Sequence, residues 1–244
     1  MQIVYCKDYQ EMSRKAASLV LKDIKKKPEL LICAATGSSP EGLYRELATT
    51  AEEEKELFKQ LRILKLDEWG GIPENHPVSC EYFLREKLQT PLAIEDERYI
   101  SFRSNPDDPE EECKRIRTLV ETQGPIDICI LGLGANGHLA LNEPASKLQA
   151  YTHVAALSEE SLRHPMIASL EQKPSYGLTL GMEEILSSRL IIMLVSGKGK
   201  KQIAEKFLEG SVTTQLPASF LWQHPNVECF VDRGVLESYS FPAR

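Results

Sequence analysis

The 244-residue chain is 42% hydrophobic and 27% charged, enough apolar content to bury a core without disulfide or metal support. A formal net charge of −7 argues against general nucleic-acid binding but leaves room for a local basic site for a small anion. No apolar run approaches the roughly 18–20 residues of a membrane span, and the opening MQIVYCKDYQEM turns polar before a signal core could form. A cytoplasmic protein with no membrane partner is expected.

Met1–Cys6 reads as a strand. Asp8–Lys26 has helical spacing and ends in a basic run before Pro28, a helix-stop signal. Leu30–Ala35 reads as a buried strand, Pro40–Thr50 as a helix and Leu61–Leu66 as another strand. Cys80–Leu88 has helical spacing, Tyr99–Phe102 is a short strand and Pro109–Thr122 a charged amphipathic helix. Ile126–Leu133 carries the strongest strand signal in the chain. Leu178–Leu180 is a candidate strand, Met182–Leu186 a short helix, Leu190–Val195 a buried strand and Lys198–Leu208 a helix. A helical turn over Ser219–Gln223 and a strand over Val227–Val231 close the series.

Apolar strands without clean alternation, separated by helices, predict an α/β fold. The expectation is a single domain over 1–244 with a mostly parallel, doubly wound (Rossmann-like) sheet and helices on both faces. The six cysteines at 6, 33, 80, 113, 129 and 229 form neither a CxxC pair nor a Cys/His cluster, so buried reduced thiols and no metal site are expected. Ligands of such sheets bind beyond the carboxyl ends of the strands. Four segments follow strands in that way.

In LLICAATGSSPEGLY, Gly37 lets the backbone approach a ligand closely, and the amides and hydroxyls of Ser38 and Ser39 suit a phosphate at a helix start. A lone TGSS, however, is more often only a helix start. In LRILKLDEWGG, Asp67 and Glu68 emerge at a strand end, where a carboxylate is either a general base or a loop acid. His76, before Pro77, is a substrate contact or a solvated loop residue. In IDICILGLGANGHLALNEPAS, three glycines force a tight path that lets His138 and Glu143 approach, and a carboxylate there would orient the imidazole. GLGANG matches a dinucleotide fingerprint only superficially, because no helix pattern follows it. In LVSGKGKKQIAEKF, Lys198, Lys200 and Lys201 crowd a helix start, either as an anion site or as a solvated basic turn.

Together these segments resemble the glucosamine-6-phosphate deaminase family of sugar-phosphate isomerases, and more distantly 6-phosphogluconolactonases, from about Leu31 to Val231. The most specific parts are LDEWGG with HPVSCEYF, and GLGANGHLALNEPA. The pattern is most similar to the bacterial galactosamine-6-phosphate isomerase/deaminase branch through Asp67–Trp69, Asn136, Ile100–Ser104 and Ala218–Trp222. Glucosamine-6-phosphate deaminases usually have Tyr and Asp in place of Trp69 and Asn136.

The resemblance implies Asp67 as the base that moves a proton between C2 and C1 of the opened amino sugar. It implies His138 as the ring-opening acid/base, Glu143 as its orienting partner and Asn136 beside them. Lys200 with the turn Gly37, Ser38, Ser39 would hold the phosphate, with Arg163 or the adjacent His164 as an added contact. The implied chemistry uses no cofactor and no metal, and the implied partner is a small sugar phosphate. The oligomeric state stays open, a homo-oligomer included.

Overall fold

In a computed structural model, residues 1–237 are described, and the apolar runs assemble into two sheets. The first half of the chain contains β1 (Gln2–Cys6), α1 (Tyr9–Lys26), β2 (Leu31–Ala34), α2 (Ser38–Glu53), β3 (Arg62–Lys65), β4 (Asp67–Gly70), α3 (Cys80–Leu84), β5 (Tyr99–Ile100) and α4 (Pro109–Gln123). There follow β6 (Ile128–Gly132), β7 (His153–Ala155), α5 (Glu159–Leu162), β8 (Tyr176–Thr179), α6 (Met182–Leu186), β9 (Leu190–Val195), α7 (Lys201–Leu208) and β10 (Val227–Asp232).

Seven strands form the main sheet in the order β1-β10-β9-β6-β2-β3-β5, with every pairing parallel. The alternation of side chains along each strand builds two cores. Ile32, Ala34, Ile63, Ile128, Ile130, Ile192 and Leu194 pack with α1 and α2 through Met12, Val20, Ile24, Leu43 and Leu47. Their sequence neighbours Leu31, Cys33, Leu64, Cys129, Leu131, Ile191 and Met193 face α4, α6 and α7 through Ile116, Ile185 and Phe207. With both faces covered, the strands carry continuous apolar runs rather than an alternating pattern, as anticipated. All six cysteines are buried and unpaired. Among the described residues no helix is long and apolar enough to cross a membrane, and no cluster of His, Cys, Asp and Glu is placed to hold a metal ion.

The second sheet, β4-β8-β7, is antiparallel and was not anticipated. No strand is expected over the residues after Leu66, and Leu178–Leu180 is expected only as a candidate strand. Instead, the chain changes sheets at Leu66, whose amide donates to Ala34 O (3.1 Å) while its carbonyl accepts from Leu180 N (3.1 Å). Asp67 then pairs with Thr179 and Trp69 with Gly177. Those partners lie more than a hundred residues downstream, so no local pattern announces the pairing. The strand at His153–Ala155 and helix α5 were likewise unread, both being short and polar.

Candidate active site

The chain runs outward from β2 to β3 and β5, then returns to place β6 on the other side of β2. This reversal is the switch point at which open α/β sheets bind ligands. The four segments singled out follow β2, β3, β6 and β9, which are adjacent in the order β9-β6-β2-β3. Their ends line one cavity of about 630 Å³, within the range of small-molecule sites. Gly37, Ser38, Ser39, Asp67, His138, Arg163 and Lys200 all contribute to its wall, whereas Asn136 and Glu143 stand behind His138.

After β2, Gly37 takes a positive φ of 99°, and α2 begins at Ser38 rather than at Pro40. Pro40 is tolerated because the first amides of a helix have no intrahelical acceptor. The Ser38 and Ser39 amides are therefore themselves the open end of the helix, where an anion is favoured. Ser39 is buried, and its Oγ lies 3.0 Å from Ser196 Oγ at the end of β9.

After β3, Asp67 and Trp69 lie on one face of β4 and both line the cavity, while Glu68 between them faces away. Asp67 Oδ1 is buried without a hydrogen-bond partner. Burial, then the neighbouring Glu68 charge, push the Asp67 carboxyl up to about 7, and Lys65 offsets part of that rise. Such a group shifts between acid and base near neutrality.

After β6, Gly134 lies against the His138 ring. A Cβ there would fall 2.2 Å from His138 Cδ2, so only glycine permits the approach. His138 Nδ1 lies 3.5 Å from Glu143 Oε2, close enough for an ion pair though long for a hydrogen bond. Glu143 is held from several sides. Asn136 Nδ2 donates to Oε2 at 2.8 Å, Ser158 Oγ to Oε1 at 3.0 Å, and Ser161 Oγ also donates to Oε1. These bonds and the imidazole outweigh burial and bring the Glu143 carboxyl down to about 2. Asn136 also accepts from the His138 amide through Oδ1, at 3.1 Å. It is not a left-handed turn former; Gly137 takes the positive φ, 87°.

After β9, Gly197 and Gly199 both take positive φ, which delays α7 to Lys201 and leaves Lys198 and Lys200 in the preceding turn. The expected helix from Lys198 therefore starts three residues late. Lys200 Nζ donates to Leu133 O at 2.5 Å and has no carboxylate partner among the described residues. Burial lowers its pKa. A half-buried ammonium at the cavity wall without a counter-ion calls for an anionic ligand.

Arg163 and His164 differ sharply. Arg163 is 69% exposed in its side chain and paired with Glu159 and Glu160 at the rim. His164 is half-buried, packs against Trp69 with ring centroids 5.7 Å apart, and points Nε2 toward Gly37. Its Nδ1 accepts from Met166 N at 3.3 Å, which leaves the proton of the neutral ring on Nε2. Burial, then the charges of His138 and Lys200, bring its pKa down to about 4. His76 does not line the cavity; its Nδ1 accepts from Val78 N at 3.3 Å within its own loop. Sequence reasoning missed Ser158 and Ser161, the N-cap and third residue of α5, which reach Glu143 from 15 and 18 residues downstream.

Residues 7–230 match the family described as glucosamine-6-phosphate isomerases/6-phosphogluconolactonase. The putative deaminase AgaI of Escherichia coli (strain K12) is 38% identical over 225 residues, spanning 92% of this chain and 89% of that protein. Glucosamine-6-phosphate deaminase 1 of Bacillus subtilis (strain 168) is 35% identical over 235 residues, spanning 96% and 97%. The solved structure of a monomeric glucosamine-6-phosphate deaminase superposes with a TM-score of 0.90 at 35% identity, covering 97% of this chain and 100% of that one. The 6-phosphogluconolactonase of Trypanosoma brucei shares the fold, with a TM-score of 0.74 at 24% identity over 96% and 97% of the two chains.

Proposed function

The chain belongs to the glucosamine-6-phosphate isomerase/6-phosphogluconolactonase family, and we propose that it is a hexosamine-6-phosphate deaminase converting galactosamine 6-phosphate to tagatose 6-phosphate and ammonia. The observation that carries the reading is the meeting, in one cavity, of a carboxylate poised near neutrality, an imidazole backed by a carboxylate, and an ammonium with no counter-ion among the described residues.

Each group has a role in that chemistry. Lys200, the Ser38 and Ser39 amides and His164 Nε2 bind the phosphate and anchor a flexible substrate, leaving Arg163 at the rim. His138 moves the proton between the C1 hydroxyl and the ring oxygen, which opens the sugar. Glu143, fixed by Asn136, Ser158 and Ser161, keeps the imidazole oriented. Asp67 then removes the C2 proton, which the C1 carbonyl has acidified, and delivers it to C1, while the C1 oxygen takes up a proton and the C2 ammonium gives one up. The product is a C2 imine. Water adds to it and ammonia leaves, giving the ketose. Holding the base within reach of both carbons supplies the proximity term.

Galactosamine 6-phosphate is preferred to its C4 epimer on the resemblance that Trp69 and Asn136 carry. Glucosamine 6-phosphate is the second reading, supported by the similarity to relatives named as deaminases of that sugar. Lactonase activity is less favoured: Asp67 would then have no C2 proton to move, and the lactonase resemblance is one of fold. Ammonia release from the two amino-sugar phosphates side by side, with a lactonase assay on the same preparation, tests the reading. Activity on the lactone alone overturns it, and a preference for glucosamine 6-phosphate replaces the substrate.

A further inference from the structure

Directly behind Asp67 lies a cluster of buried charge that takes no direct part in the proposed chemistry. The side chains of Lys65 and Glu68 are wholly inaccessible to solvent. Lys65 Nζ donates to Glu68 Oε2 at 2.8 Å, to Glu81 Oε2 at 2.7 Å and to Phe102 O at 2.7 Å. Glu68 accepts two hydrogen bonds on each oxygen: Trp69 N and Cys80 N on Oε1, Lys65 Nζ and Glu81 N on Oε2. Its acceptor positions are thereby filled as a carboxylate. Glu81 accepts further from Arg85, Tyr99 and Ser101. Replacing a buried ion pair with packed apolar groups is often neutral or stabilising, so stability alone does not account for such a cluster.

Its position does. The cluster ties the end of β3, the start of β4 and the first turn of α3 together, on the face of β4 opposite the cavity. We propose that Lys65, Glu68 and Glu81 form a positioning device for Asp67: they clamp the strand that carries it, and Glu68 places a fixed negative charge beside it that Lys65 only partly offsets.

The inference rests on the reading of Asp67 as the base. The other groups around Asp67 do not replace Glu68 in this role. Cys80 from α3, Cys33 from β2 and Tyr44 from α2 are all pushed upward by burial and stay uncharged near neutrality. His138, His164 and Lys200 share the cavity wall, and any charge they carry is positive, which opposes the effect of Glu68; the acids on that wall, Glu41 and Glu160, are paired with Lys87 and Arg163. Glu68 is thus the neighbour that holds the Asp67 carboxyl near 7 in addition to burial.

The test is the acid limb of kcat/KM against pH, measured by ammonia release. Glu68→Gln removes the negative charge and leaves Lys65, so the limb is expected to move down by roughly one pH unit while the KM for the sugar phosphate holds. The double variant Lys65→Met/Glu68→Gln leaves no lone charge in place of the Lys65–Glu68 pair and is expected to move the limb down by less. A folded variant with the limb unmoved overturns the proposal. A carboxyl ¹³C titration of the wild-type protein, referenced to Asp67→Asn, tests the premise of a raised Asp67 directly, even if neither variant folds. Titration of Asp67 near 7 is expected, and titration near 4 overturns the proposal. Full activity of Asp67→Asn would instead overturn the reading of Asp67 as the base and leave the titration result standing.

Discussion

His138 and Glu143 approach to 3.5 Å because Asn136, two residues before the histidine, grips both: its amide nitrogen holds the carboxylate and its oxygen holds the His138 backbone. Asn136→Asp would therefore set two carboxylate oxygens against each other where a 2.8 Å hydrogen bond now stands. The extra negative charge favours the imidazolium form. The limb of the pH–rate profile that reports His138 should move upward, by about one unit, with both amino-sugar phosphates. An unchanged profile in a folded variant would confine Asn136 to shaping the loop.

Asp67 must be ionised to act as a base, and its carboxyl is pushed up to about 7. The kcat/KM profile should therefore rise through about pH 7 and not near 4. Asp67→Asn should abolish exchange of the substrate C2 proton with solvent, at a cost of roughly 10²–10⁴ in rate, while phosphate binding persists. Retained exchange, followed by NMR in D₂O, would remove the base assignment.

The same shift has a consequence for stability. A carboxyl whose folded value lies above its unfolded value favours the protonated native state. Stability therefore falls as pH rises from about 4 to about 7 and stays lower above it. Asp67→Asn should raise Tm at pH 8 by several degrees, about 1–2 kcal/mol after allowing for the solvent at the cavity mouth. Below pH 4 the two proteins should melt together. A variant less stable than wild type at pH 8 would contradict the strain placed on this group.

Lys200 and Arg163 should separate cleanly. Lys200→Ala removes a charge-assisted contact and should raise the KM for the sugar phosphate by about 10- to 100-fold with a smaller effect on kcat. Arg163→Ala should stay within about twofold, since its pairs with Glu159 and Glu160 are exposed. His164→Ala should weaken binding without introducing a pH dependence between 6 and 8, because the ring is already neutral there. A large loss in Arg163→Ala would reverse the assignment.

Gly134→Ala forces the His138 ring off its present position. If His138 opens the sugar ring as proposed, its displacement should lower kcat by about a hundredfold with a modest change in KM. Wild-type kcat in that variant would mean that the ring relaxes elsewhere at no expense to catalysis.

The main sheet was legible because its strands are buried on both faces and its helices carry clear stops and starts. Asp67, His138, Gly37 and Lys200 were legible because each closely follows such a strand. Less visible were contacts that join distant segments. Asp67–Gly70 is a strand only because Tyr176–Thr179 pairs with it, and nothing in DEWG announces a partner. Lys65 and Glu68 look like surface charges by composition, yet they are sealed by Glu81, Phe102 and Cys80 from elsewhere in the chain. Asn136 was placed beside His138 and Glu143, but its double grip on the carboxylate and the His138 amide depends on the path of the loop and is not legible in GLGANGH.

Four of the segments that wall the cavity are rooted in different strands that are hydrogen-bonded neighbours in one sheet, and a fifth, around His164, follows β7 of the second sheet. The framework fixes the spacing of the four roots, and hydrogen bonds between the segments, Ser39 with Ser196 and Lys200 with Leu133 O, add to it. One segment can change composition while the roots of the others keep their alignment. A lineage can thus exchange the part that grips one end of a substrate and keep the proton-handling parts intact. New substrate preferences can then arise by piecemeal replacement rather than by rebuilding the site.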